Sequence, residues 1–106
     1  MSALDLRARV TAQREAIATV CRRRHVRRLE LFGSLARGEG HPGSDVDLLV
    51  DFEPLPPGAY AEAYFGLRED LEQLFDAPVD LVVERAIRNP FFRQAIEGQR
   101  EALYAA

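Results

Sequence analysis

Six residues of this chain have the types and spacing to do chemistry together: Gly33, Ser34, Arg37, Asp45, Asp47 and, further along, Asp80. Val46, Leu48, Val50 and Phe52 alternate with Asp45, Asp47, Leu49 and Asp51, and a period of two is the signature of a β-strand. Asp45 and Asp47 therefore share one face, about 6.5 Å apart at roughly 3.3 Å per residue. Carboxylates that close repel each other, so one is expected to stay protonated unless a cation lies between them. Mg²⁺ suits the position, because it takes oxygen ligands and completes its shell with waters and substrate phosphates. Asp51 shares the face but lies about 13 Å beyond Asp47, too far to join such a cluster.

The other half of the constellation reads as an anion site. Leu29 to Phe32 is a short apolar run, and Gly33-Ser34 follows it as a turn into a short helix. A helix start presents free N–H groups and the positive end of its dipole. Gly33 lets the chain turn sharply and approach a phosphate, Ser34 adds a hydroxyl, and Arg37 brings a fork of donors. The pattern is neither a Walker A loop nor a dinucleotide fingerprint: no Lys-Ser or Lys-Thr pair follows the glycines, the chain contains no lysine, and G-x-G-x-x-G is absent. A metal-bound nucleoside triphosphate is the ligand that both halves together would hold. Alone, a Gly-Ser turn is usually only a turn, and an Asp-x-Asp only solvated.

These residues need elements to position them. Ser2 to about Arg24 reads as one helix, capped by Ser2 with Asp5 in its first turn. Its apolar stripe is Leu6, Val10, Ile17, Val20 and Cys21, which makes Cys21 a core residue. The first strand is expected at Arg28–Phe32 and the second at Val46–Phe52. Three prolines between Glu53 and Gly58 make a loop, and Ala59–Phe75 reads as a helix weakened by Gly66. Asp76-Ala77-Pro78 ends it. Val79–Val83 is a third strand, in which apolar neighbours flank Asp80. A carboxylate buried there needs a cation or donors, and facing Asp45 and Asp47 from a neighbouring strand would supply that environment. The competing reading is an edge-strand aspartate in water. Asn89-Pro90 opens the last helix, an N-cap followed by a favourable first residue. Its apolar side is Phe92, Ala95, Ile96, Gln99 and Leu103, while Phe91 and Tyr104 could join it or form a partner surface.

Size and composition bound the rest. The 106 residues should form one domain, 1–106, and the 47% hydrophobic and 29% charged content exclude disorder. The net charge of −3 argues against general nucleic-acid binding, and a single cysteine excludes disulfides and thiolate metal sites. No apolar run reaches the length of a membrane span and no signal peptide is recognisable, so a cytoplasmic protein is expected. The basic run Arg22-Arg23-Arg24-His25-Val26-Arg27-Arg28 reads first as a solvated helix end and second as a partner surface. His25 and His41 are isolated, although His41 lies in the loop beside the constellation and could touch substrate.

Gly33-Ser34-x-x-Arg37-Gly38 followed by Ser44-Asp45-x-Asp47-Leu48 resembles the signature of the nucleotidyltransferase superfamily that includes DNA polymerase beta. Within it, the chain is most similar to the minimal nucleotidyltransferases, many of which are antitoxins of toxin–antitoxin pairs. The resemblance implies an α/β fold with a small three-stranded mixed sheet packed by helices. It also implies a Mg²⁺-dependent enzyme transferring AMP from ATP to a hydroxyl, a tyrosine in some cases, of a HEPN-type toxin. Asp45 and Asp47 would be catalytic metal ligands. Asp80, matching the third acidic residue, would hold a second metal or accept the proton of the attacking hydroxyl. Gly33, Ser34 and Arg37 would bind the triphosphate. Two alternatives stand beside this: an inactive antitoxin that neutralises its partner by contact, and a transferase acting on a small molecule.

Overall fold

The computed structural model describes residues 3–39 and 45–106. Ser2 and the loop residues His41 and Ser44 lie outside the described residues. The chain runs α1 (Ala3–Thr11), α2 (Arg14–Arg23), β1 (Val26–Phe32), α3 (Gly33–Ala36), β2 (Val46–Phe52), α4 (Ala59–Phe75), β3 (Val79–Val83), a 3-10 turn (Glu84–Ala86), α5 (Pro90–Glu97) and β4 (Glu101–Ala105). The sheet has four strands in the order β3-β2-β1-β4, one more than expected. β2 and β3 are parallel, connected through α4, and β1 is antiparallel to both β2 and β4. The fold is therefore α/β with a mixed sheet.

Period two explains the layering. Leu29, Leu31, Val46, Leu48, Val50, Val79, Leu81 and Leu103 point to one face. There they form the main core with Leu6 and Val10 of α1, Ile17 and Cys21 of α2, and Leu67, Leu71 and Phe75 of α4. The opposite face carries Phe32 and Leu49, covered by Ile96 of α5 with Val82 and Ile87. Asp47, Asp51 and Asp80 belong to this second face by the same alternation. Cys21 is core as expected, and burial pushes its thiol up to about 12. No helix among the described residues is long and apolar enough to cross a membrane.

Three expectations are corrected. The first helix is two helices. The side chain of Gln13 donates to the Arg9 carbonyl (2.9 Å), the group its own backbone N–H would use, and that N–H turns to Val10 (3.3 Å). The break leaves the stripe intact, since Val10 and Ile17 are both fully buried. The first strand begins at Val26 rather than Arg28, because Val26 belongs to the core. The last helix stops at Glu97, with Gly98 as its C-cap. Leu103 reaches the core from a strand that pairs with β1, with Leu29 opposite Tyr104.

The basic run is largely wired into the fold. Arg24 donates to Asp70 (2.8 Å), Arg27 to Asp51 (2.7 Å) and Arg28 to Glu84 (3.2 Å). The Arg24 guanidinium crosses α4 at Gly66, where a Cβ would fall 2.5 Å from its Cζ, so the glycine makes room for this pair. The Arg24 hydrogen bond holds the Asp70 carboxyl below its usual range. At the outer edge of β3, the Glu72 carboxylate accepts from Val79 N (3.0 Å) and the Tyr64 hydroxyl donates to Leu81 O (2.6 Å).

Candidate functional site

Asp47 is the centre of the constellation, and the strand register decides its neighbours. Its Cα partner on β1 is Phe32 and its Cα partner on β3 is Asp80. Adjacent strands lie about 4.8 Å apart, and residues in register point the same way. Asp47 and Asp80 therefore stand side by side on one face. Asp45 is exposed in the residue before β2. The Asp47 carboxyl is pushed up to about 6, first by burial, then by the charges of Asp80 and Asp45, with Arg37 opposing. The repulsion anticipated between Asp45 and Asp47 is thus present, with the larger like-charge contribution coming from Asp80 on β3.

Gly33 sits directly after Phe32 with φ +74°, a left-handed conformation that favours glycine. A Cβ there would fall 2.2 Å from Asp47 Oδ2 and 3.0 Å from its Cγ. Only a glycine lets the start of α3 lie against this carboxylate. Ser34 follows in α3, half-buried, and its carbonyl accepts from Glu39 N (2.8 Å). Arg37 caps α3 at the rim of the site. Its guanidinium donates to Glu39 Oε1 (2.8 Å) and to Gln99 Oε1 (2.9 Å) while remaining close enough to lower the Asp47 pKa.

The structure thus brings Gly33, Asp47 and Asp80 together and sets Asp45 and Arg37 around them. It corrects the reasoning applied to Asp80: its side chain is exposed on an edge strand, so burial does not demand a cation there. Its place opposite Asp47 comes from register alone. Among the described residues, no three carboxylates, imidazoles or thiols converge into a ready-made metal cage. Mg²⁺ seldom uses one; it takes one or two carboxylates and fills its remaining positions with waters and phosphates. An oxygen donor set in which like charges press on Asp47 fits that ion.

Two residues escaped sequence reasoning. Gln99 was placed on a helix side and instead lies in the turn after α5, holding Arg37 from sixty-two positions away. The only available signal was Gly98, which could have ended that helix. Asp51, set aside as too distant, is the only buried charged side chain among the described residues. Arg27 grips its Oδ2 through Nε (2.9 Å) and Nη2 (2.7 Å), and Arg85 Nε lies 2.8 Å from Oδ1.

Comparisons with known proteins bear on the family and the fold. Residues 14–103 match the family model described as "Nucleotidyltransferase domain". The chain is 38% identical over 79 residues to the protein adenylyltransferase MntA of Thermococcus cleftensis, covering 74% of this chain and 74% of that protein. A solved structure of a protein classed as a minimal nucleotidyltransferase superposes with a TM-score of 0.70 at 38% identity, over 96% of this chain and 94% of that one. A toxin–antitoxin crystal structure with AMP-PNP gives a TM-score of 0.67 at 25% identity, over 88% and 73%.

Proposed function

This chain belongs to the nucleotidyltransferase domain family, and from that premise we propose that it transfers AMP from ATP to a tyrosine hydroxyl of a HEPN-type toxin. In doing so it would act as the toxin's antitoxin, in the cytoplasm where ATP is at hand. The carrying observation is the Asp47–Asp80 pair, in register on adjacent strands beside the Gly33 turn, with the Asp47 carboxyl raised to about 6. The naming of the Thermococcus relative supports AMP transfer, and the AMP-PNP in the toxin–antitoxin neighbour supports an adenine nucleotide and a toxin partner.

The residues divide the work by position. Gly33 brings the N–H groups that open α3 against the triphosphate, and Ser34 adds a hydroxyl donor. Arg37 turns its fork toward the same phosphates, away from Glu39 and Gln99. Asp45 and Asp47 would hold Mg²⁺, which when bound screens the triphosphate and stabilises the leaving pyrophosphate. Asp80 would hold a second metal ion or take the acceptor's proton. The acceptor oxygen forms a bond to the α-phosphorus as the bond to pyrophosphate breaks. One proton is released, and AMP ends as an ester of the acceptor. Positioning and charge stabilisation supply most of the rate.

The test is transfer of labelled AMP from ATP with Mg²⁺ to a purified HEPN-type toxin encoded beside this chain. Asp45→Asn, Asp47→Asn and Asp80→Asn are run with the wild type. Label on the toxin that disappears in the first two variants supports the reading, and its fate in the third tests whether Asp80 takes part. An unlabelled toxin that is still bound and silenced would replace the enzyme by a contact-only antitoxin. Label on a small molecule alone would replace the protein acceptor.

A further inference from the structure

Aromatic side chains flank a groove beside β3 whose lining begins one residue after Asp80. Its volume is about 390 Å³, and Tyr64, Leu81, Val82, Val83, Ile87 and Phe92 line it. Leu81 to Val83 directly follow Asp80 on β3, so the groove continues the strand that carries this carboxylate. On one bank Tyr64 stacks edge-on against Phe65 (5.1 Å), which is 61% exposed. On the other, Phe92, 38% exposed, stacks edge-on against Phe32 (6.1 Å), the register partner of Asp47. Aromatic side chains this open, gathered around one apolar groove, mark an interaction surface rather than scattered surface residues.

The charge around the groove selects the occupant. Arg27, Arg28, Arg85 and Arg100 are each ion-paired within the fold. Arg88, on the groove, donates to Arg85 O (3.1 Å), and Arg93, which lines the neighbouring pocket with Asp51 and Glu84, donates to the carbonyl of the groove residue Ile87 (3.1 Å). Among the described residues neither is paired with a carboxylate. A second copy of this chain would bring the same unpaired arginines against them. A nucleic acid would meet a chain of net charge −3.

We infer that this groove docks the acceptor protein through a segment with an apolar face and flanking carboxylates, delivering its hydroxyl to Asp80 and Asp47. The inference rests on the transferase reading and extends it from the reaction to how the acceptor is recognised. Apolar contact with the aromatic banks supplies affinity, and Arg88 and Arg93 set orientation.

Short synthetic peptides test it with the full chain. Each carries one tyrosine and an apolar face, flanked by glutamates in one and by lysines in the other. AMP transfer and peptide fluorescence anisotropy are both read, with Phe65→Ser, Phe92→Ser and Arg88→Glu beside the wild type. We expect the acidic peptide to be favoured, and either serine variant to raise its KM about tenfold with kcat nearly unchanged. Arg88→Glu should reverse the preference toward the basic peptide. Equal use of both peptides, or serine variants that match the wild type, would overturn the groove while leaving the transferase reading intact. Groove-dependent binding without AMP transfer to either peptide would overturn the delivery of the hydroxyl to Asp80 and Asp47, while the toxin assay decides the transferase reading separately. Absence of peptide binding overturns the inference. So does self-association lost in Phe92→Ser, or a labelled RNA oligomer that competes for the groove.

Discussion

Asp47 and Asp51 lie four residues apart on one strand and one face, and their surroundings are opposite. Asp51 is enclosed by guanidinium groups: Arg27 and Arg85 hold its two oxygens, and a pocket of about 250 Å³ beside it is lined by Arg28, Glu84 and Arg93 as well. Asp47 faces Asp80 and Asp45, with Arg37 occupied by Glu39 and Gln99. The strand is one continuous element, so backbone geometry does not separate the two ends. The difference lies in which elements the topology sets beside each: β3 and the α3 turn at one end, the 3-10 turn and the start of β1 at the other. A compensated carboxylate stabilises the fold. An uncompensated one suits the cation or proton that the proposed reaction would bring to it.

The comparison breaks first on activity. Asp47→Asn should reduce AMP transfer by about 10²–10³-fold or more, while Asp51→Asn should leave activity per folded molecule close to wild type, as read in a labelled-nucleotide assay corrected for folded fraction. Comparable losses in both would erase the distinction. Gly33→Ala comes next. Its Cβ would collide with Asp47 Oδ2 in a backbone conformation unfavourable for alanine, costing about 1–2 kcal/mol in urea unfolding and most of the activity.

Stability should then move in opposite directions. Asp51→Asn leaves Arg27 and Arg85 without their carboxylate, a loss of about 2–3 kcal/mol, below the range for fully buried pairs because both arginines are half-exposed. Asp47→Asn should stabilise the metal-free protein. The folded pKa of Asp47, about 6, lies above its ordinary 3.8, so between those values the native state binds more protons than the unfolded chain. Stability therefore falls as pH rises from about 4 to 6, and the penalty is fully present above 6. Asparagine removes it, a gain of about 1–2 kcal/mol at pH 8 after allowance for solvent screening, with none at pH 4. Thermal melts at the two pH values, with EDTA, check the sign. The smallest effect belongs to the helix lying between the two ends. Asn89 Oδ1 accepts from Phe91 N (2.9 Å) and Phe92 N (3.4 Å), and Asn89→Ala should cost about 1 kcal/mol, visible as faster amide exchange in the first turn of α5.

Local signals made much of the fold legible. Val46–Phe52, Ala59–Phe75 and Val79–Val83 occur where alternation, helical period and Asp76-Ala77-Pro78 placed them, and Asn89-Pro90 caps a helix. The Gly33 turn was legible too, although the nearest reason for the glycine is the Asp47 carboxylate. What escaped depends on partners far along the chain. Glu101–Ala105 has one core leucine, too little to distinguish strand from helix, and the choice is made by the free edge of β1. The arginines of the basic run looked unpaired because Asp70, Asp51 and Glu84 lie far from them in sequence. Gln99 joined the site's rim only because the last helix ended early.

The capped outer edge of β3 has a consequence for how this surface is read. An open strand edge offers any extended chain a ladder of main-chain partners, which is indifferent to sequence and invites aggregation. Here Glu72 and Tyr64 already occupy Val79 N and Leu81 O, and at the opposite edge of the sheet Arg14 occupies Ala102 O. At those positions a visitor finds no backbone template. It must be read through its side chains, so discrimination among visitors falls to shape and charge, and the same sealing discourages copies of the chain from stacking edge to edge into fibres.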